Sequence, residues 1–118
     1  MADRQPVLVL ISEDPRASHR ANEAMRIALG IVAGETPVDI VLTGPAVHLL
    51  DGDTDDLVDG DDIAKFRDSL RKLGIPFHVE QSALPRDPEW NGDGHPVIPI
   101  TAEGIAALVP KASRFLVF

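Results

Sequence analysis

A chain of 118 residues fits one domain built on a single core. Its apolar fraction is 44% but its aromatic fraction only 4%, so Val, Ile, Leu and Ala must supply that core. A formal net charge of −8 opposes nucleic acid and anionic membranes, and the absence of cysteine excludes disulfides, thiolate metal ligands and cysteine nucleophiles.

The first run, "VLVLI" (Val7–Ile11), is continuously apolar and rich in branched side chains, which predicts a strand covered on both faces. "SEDP" interrupts it. Asp14 followed by Pro15 predicts an N-cap with proline at the first helical position. The helix that follows places Ala21, Ala24, Met25, Ala28, Leu29 and Val32 on one stripe, and Gly34 stops it. "VDIVL" (Val38–Leu42) is a second buried strand, closed by Thr43, Gly44 and Pro45. Strand, helix and strand make a unit whose crossover is expected to be right-handed.

A short helical piece, "PAVHLL", leads into the acidic loop "DGDTDDLVDGDD". The next helix carries Ile63, Phe66, Leu70 and Leu73 at three- and four-residue steps and ends at Gly74. "PFHV" (Pro76–Val79) is the third strand, and a loop rich in Pro, Gly and Asp follows it. "VIPI" is a short extended segment. Thr101 caps a helix over Ala102–Val109, with Pro110 near its end, and "RFLVF" (Arg114–Phe118) is the last strand. Strands alternating with helices predict a single three-layer α/β domain over residues 1–118, with a mainly parallel sheet of about five strands. No apolar run approaches the length of a membrane span, and "MADRQP" lacks the start of a signal peptide. The expected location is cytoplasmic.

Several stretches have a familiar wording: "VLVLISEDP", then "ANEAMRIALGIVAGETPVDIVLTGPAVHLL", then "LRKLGIPFHVEQSAL", then "AALVPKASRFLVF". Together they resemble the DsrE/DsrF/TusD-like family of sulfur-relay proteins over nearly the whole chain. The resemblance rests on a profile of strand, turn and helix signatures rather than on one motif. It implies a flavodoxin-like compact domain that assembles into homo- or hetero-oligomers, often trimers or hexamers, with sulfur-relay proteins as partners. It also implies a persulfide-bearing cysteine in the loop after the third strand. The corresponding position here falls at about Glu80, in "HVEQSAL". Persulfide transfer needs a thiolate, and a carboxylate cannot hold a sulfane sulfur. The expectation is therefore a non-catalytic binding or assembly protein, with no cofactor.

The resemblance also places the first loop beside the loop after strand three. On that reading Ser12 and Glu13 line a pocket with Thr43, Glu80 and Ser82. The plainer reading of Ser12 to Asp14 is a polar strand end with a helix cap. The loop lacks the glycines a phosphate cradle needs, and its carboxylates repel anions. Glu80, near His78 or His95, has the chemistry of a general base if burial raises its pKa, which keeps a small enzyme as an alternative. His19, His48 and His95 follow strands one, two and three, so they could converge with Glu13 or Glu80, although no metal-ligand spacing is present. The ligand-sensing alternative uses the same set: Ser12, Glu13, His19, Thr43, Glu80, Gln81, Ser82 and His95. The acidic loop fits a calcium template poorly, because Asp56 stands where glycine is required and Asp62 where the bidentate Glu would be. Trp90 is either an interface anchor or a loop anchor folded over the core, and its long loop hints at a lid or an oligomer contact.

Overall fold

Five short strands pair in the order β4-β3-β2-β1-β5, all parallel. The computed structural model describes residues 5–118. β1 (Val7–Ile11) leads to α1 (Arg20–Ala33) and β2 (Val38–Leu42). A 3-10 helix (Gly44–Leu50) and α2 (Gly60–Lys72) follow, then β3 (Phe77–Glu80). A 3-10 turn (Gln81–Ala83) and a loop reach β4 (Val97–Ile100). Then α3 (Ala102–Leu108) and a 3-10 turn (Val109–Lys111) return the chain to β5 (Arg114–Val117). The sheet expected from the alternation of strands and helices is present with all five strands. No described helix is long and apolar enough to cross a membrane.

The chain steps from β1 to β2, β3 and β4 in one direction across the sheet. Right-handed crossovers therefore place α1 and α2 on the same face, where they pack on each other. That face holds the main core. Val7, Val9 and Ile11 of β1, Val38, Ile40 and Leu42 of β2, and Phe77 and Val79 of β3 all point into it. Ala21, Ala24, Met25 and Ala28 meet them from α1, and Ile63 and Leu70 from α2. The step from β4 back to β5 reverses direction, so the same rule puts α3 on the opposite face. Leu8 and Val41 are fully buried yet stand outside the α1/α2 core, as residues of that second face must. α3 has only 7 residues and none of them is buried. The second face is therefore covered at its centre and open at its sides, where Ile98, Phe115 and Val117 are exposed.

One expectation changes. The helix predicted to begin at Pro15 begins at Arg20. Asp14 does cap, but it caps a single turn: its Oδ1 accepts the Arg16 N–H at 2.9 Å and its carbonyl accepts from Ala17 and Ser18. Ser18 Oγ then takes the Arg20 N–H at 3.1 Å, which diverts the backbone before α1 starts. The last strand, although its run is apolar, is largely exposed. Apolar content reports the capacity for burial; what covers a strand depends on the connections around it, and here nothing crosses over β5 except the short α3.

Glycine is required where α2 begins. A Cβ on Gly60 would lie 2.1 Å from the Thr54 carbonyl oxygen, so the acidic loop closes on itself there. Asp61 and Asp62 sit in the first turn of α2 and suit its positive end. Asp53 accepts the Asp55 N–H, a local turn bond. Much of the acidic run therefore serves turn and helix-start geometry.

Candidate functional site

The carboxyl ends of parallel strands are where such folds place ligands, because the loops diverge there. At the ends of β3 and β4, Glu80, Gln81, Ser82, Ile100, Thr101 and Ala102 line an open cleft of about 300 Å³. Three of the residues singled out from sequence meet in it: Glu80, Gln81 and Ser82. Thr43 ends the neighbouring strand β2, and Ser12 ends β1 one strand further on. Two strand spacings separate Ser12 from Glu80, roughly 10 Å.

The polar groups of this rim are already engaged in holding the strand ends. Glu80 Oε1 accepts the Gly44 N–H at 3.1 Å. Gly44 has φ +52°, a left-handed conformation that glycine adopts without a Cβ penalty. The carboxylate thus braces the turn between β2 and the 3-10 helix from the adjacent strand. Thr43 Oγ1 donates to the Ile11 carbonyl at 3.4 Å, and Ser12 Oγ donates to the Phe118 carbonyl at 3.1 Å. Thr101 Oγ1 accepts the Gly104 N–H at 3.0 Å and caps α3, as its sequence position predicts. Gln81 and Ser82 are exposed side chains on the cleft wall.

Glu80 therefore has a specific structural partner instead of being a solvated loop carboxylate. Glu80→Ala is expected to cost about 1–2 kcal/mol by orphaning the Gly44 N–H, while Glu80→Gln, which keeps an acceptor, costs under about 1 kcal/mol. Urea denaturation of the two variants checks this, and an unchanged midpoint in Glu80→Ala would remove the brace.

The convergence of histidines that the sequence left open does not occur. His95 precedes β4 and lies at the amino ends of the strands, where its Nε2 donates to the Ile75 carbonyl at 2.9 Å. It is buried, with its ring centroid 4.5 Å from that of Phe77. Asn91 fixes its backbone, accepting the His95 N–H at 3.0 Å and donating to the His95 carbonyl at 2.8 Å. A loop residue before a parallel strand emerges at the opposite end of the sheet from a residue after one, and this geometry removes His95 from the cleft. His19 and Glu13 are exposed, and His19 stands at the start of α1. His48 Nδ1 lies 3.1 Å from both Asp51 carboxylate oxygens, a hydrogen bond within one turn. Among the described residues no group of three His, Asp or Glu side chains could hold a metal ion.

Burial pushes the His95 imidazole below its ordinary pKa of 6.5. The hydrogen bond to Ile75 opposes that shift, and the nearby Arg71 and Arg67 cations reinforce it. The unfolded chain then binds a proton near the ordinary value while the folded chain still refuses it. Folding stability is thus expected to fall as pH drops from about 7.5 towards 5.5. His95→Gln should flatten that slope in urea titrations at the two pH values; equal slopes in variant and parent would assign the dependence elsewhere.

Sequence reasoning missed Arg67. It lies on the apolar stripe of α2 between Ile63 and Leu70 and is only 4% exposed. Its Nη1 donates to the carbonyls of Leu49 (3.0 Å) and Asp51 (2.8 Å), and its Nη2 to Asp93 Oδ2 at 2.6 Å. The available signal was a cation at a core position of the helical period, which demands buried acceptors. Trp90 folds back as a loop anchor: its Nε1 donates to the Val47 carbonyl at 2.7 Å and its ring packs against the core. Asn91 N–H adds a bond to the Leu50 carbonyl at 2.7 Å. The long loop before β4 is thus clamped to the 3-10 helix and α2.

No protein-family model matches the chain, and no curated protein matches it. Among solved structures it is similar to the crystal structure of the YchN protein from E. coli. The TM-score is 0.76 at 17% sequence identity, covering 97% of this chain and 99% of that one. At that identity the likeness is one of fold alone.

Proposed function

We propose that this protein is a DsrE-like binding and assembly module, accessory to sulfur relay, that carries no persulfide of its own. The observation that carries the reading is the state of the position after β3. The chain has no cysteine, and the residue at the expected sulfur-bearing position, Glu80, uses its carboxylate to hold the Gly44 N–H. A carboxylate bonded into the scaffold neither attacks a sulfane sulfur nor holds one. The DsrE/TusD-like fold and the family-like wording of the sequence support the relay context. The open apolar sides of the second sheet face support assembly into a homo-oligomer, a trimer or hexamer by the family's habit, with sulfur-relay proteins as further partners.

The test is native mass spectrometry after incubation with a persulfide donor. The expected spectrum shows a multiple of the 12.7 kDa chain with no added sulfur. Sulfur that remains bound and is released by cyanide would overturn the non-catalytic reading. The cleft of about 300 Å³ beside Gln81 and Ser82 favours a second reading, a small-ligand sensor, since its size reaches the lower end for such sites. A stoichiometric small molecule retained in the same spectra would favour that reading over a purely structural role.

A further inference from the structure

We propose that residues 85–95 form an acid-released latch: a proton taken up by His95 swings this loop off the 3-10 helix and α2 as one unit, without unfolding the sheet. The loss of stability on acidification described above then begins in one segment.

Four residues in the second half of the loop tie it to other elements. Trp90 Nε1 donates to the Val47 carbonyl and the Asn91 N–H to the Leu50 carbonyl. Asp93 Oδ2 accepts from Arg67 Nη2, and the Asp93 carbonyl accepts a longer bond from Arg71 Nη1 at 3.3 Å. His95 Nε2 donates to the Ile75 carbonyl. Both side-chain bonds of Asn91 go to the His95 backbone, so the seat of the imidazole and the clamp on the 3-10 helix belong to one piece. Between them the backbone is built to turn. Asn91 and Gly94 have φ +56° and +73°, and Gly92 and Gly94 leave the segment free to change conformation when its bonds break.

The seat accepts only the neutral ring. Because Nε2 meets a carbonyl oxygen, it carries the ring proton, and Nδ1 is left bare. Nδ1 is buried and has no hydrogen-bond partner among the described residues. A second proton there makes a buried N–H with nothing to accept it. It also sets a cation near Arg67 and Arg71 of α2. Phe77 faces the ring from β3 and brings no charge, and Asp93, on the loop itself, is already bound to Arg67. Once the ring swings out, water satisfies both nitrogens and screens the arginines. Acid therefore favours the released loop, and the bonds of Asn91 and Trp90 go with it.

The size of the response follows from the ordinary pKa of 6.5. A solvated imidazole is about one-tenth protonated at pH 7.5 and about nine-tenths at pH 5.5. With the closed form refusing the proton, the ratio of released to docked loop rises about tenfold over that window.

Amide hydrogen exchange on the intact chain, corrected for the intrinsic rate at each pH, tests this. Protection of the Trp90, Asn91 and Gly94 amides is expected to fall about tenfold from pH 7.5 to 5.5 and to lie below that of the β1 and β2 amides at both values. His95→Gln keeps a donor for the Ile75 carbonyl but takes up no proton, so its loop amides are expected to show no such fall. The wild-type chain gives a second reading by NMR: the His95 ring resonance and the loop amides are expected to shift together, below pH 6.5. A tenfold fall that persists in His95→Gln would overturn the latch. So would loop amides as protected as those of β1 and β2, because the loop would then open only with the whole domain. An imidazole that charges in place while the loop amides stay unmoved would overturn it as well.

Discussion

Replacing Arg67 with Ala is expected to cost about 3–5 kcal/mol of folding stability, because it orphans two carbonyl acceptors and empties a buried side-chain site. The reason is the number of groups this guanidinium serves. It closes the end of the 3-10 helix through the Leu49 and Asp51 carbonyls and ties the loop before β4 through Asp93. The Leu49 contact is buried, so that carbonyl cannot recover its bond from water without opening the core. Asp93 differs, because its side chain is 49% exposed and solvent can replace its partner. Asp93→Asn keeps an oxygen acceptor for Arg67 Nη2, so it should cost about 1 kcal/mol. Urea denaturation followed by circular dichroism gives both numbers. Equal losses in the two variants would mean that the ion pair, and not the carbonyl bonds, carries the effect.

Trp90→Ala is expected to cost about 2–4 kcal/mol, the lower part reflecting an indole that is only partly enclosed. Trp90→Phe keeps most of the packing and loses the 2.7 Å bond to Val47, for about 1 kcal/mol. The clamp predicts a further result. Arg67 and Trp90 hold the same loop to the same 3-10 helix, so the double variant should lose less than the sum of the two. Limited proteolysis gives an independent reading: cleavage within residues 84–94 should accelerate in Trp90→Ala while the remainder of the chain resists. Strict additivity together with unchanged proteolysis would show that the loop stays docked by other means. Because Trp90 is the only tryptophan, its fluorescence in Arg67→Ala reports directly whether the loop has moved into water.

The place of the cleft was readable because a βαβ chain puts every loop that follows a strand at one end of a parallel sheet. Glu80, Gln81 and Ser82 follow β3 directly, so no other fact was needed to place them together. The same rule, applied to His95 by its position after β3, misplaced it. The loop is long enough to cross from one end of the sheet to the other, and His95 belongs to the start of β4. The role of Glu80 was not readable either, since its partner, Gly44, lies 36 residues earlier and is brought near only by pairing of β2 with β3.

By itself the sequence determined the order of the elements, the buried faces of β1, β2 and α1, and the absence of thiol chemistry. These follow from local periodicity and from composition, which no tertiary contact can alter. Only the tertiary structure decided which carboxylate braces a turn, which arginine is buried, which loop is clamped and which strand is left at the edge. Each of these depends on a hydrogen-bond partner or a covering element far away in the chain, and residue spacing does not encode that distance.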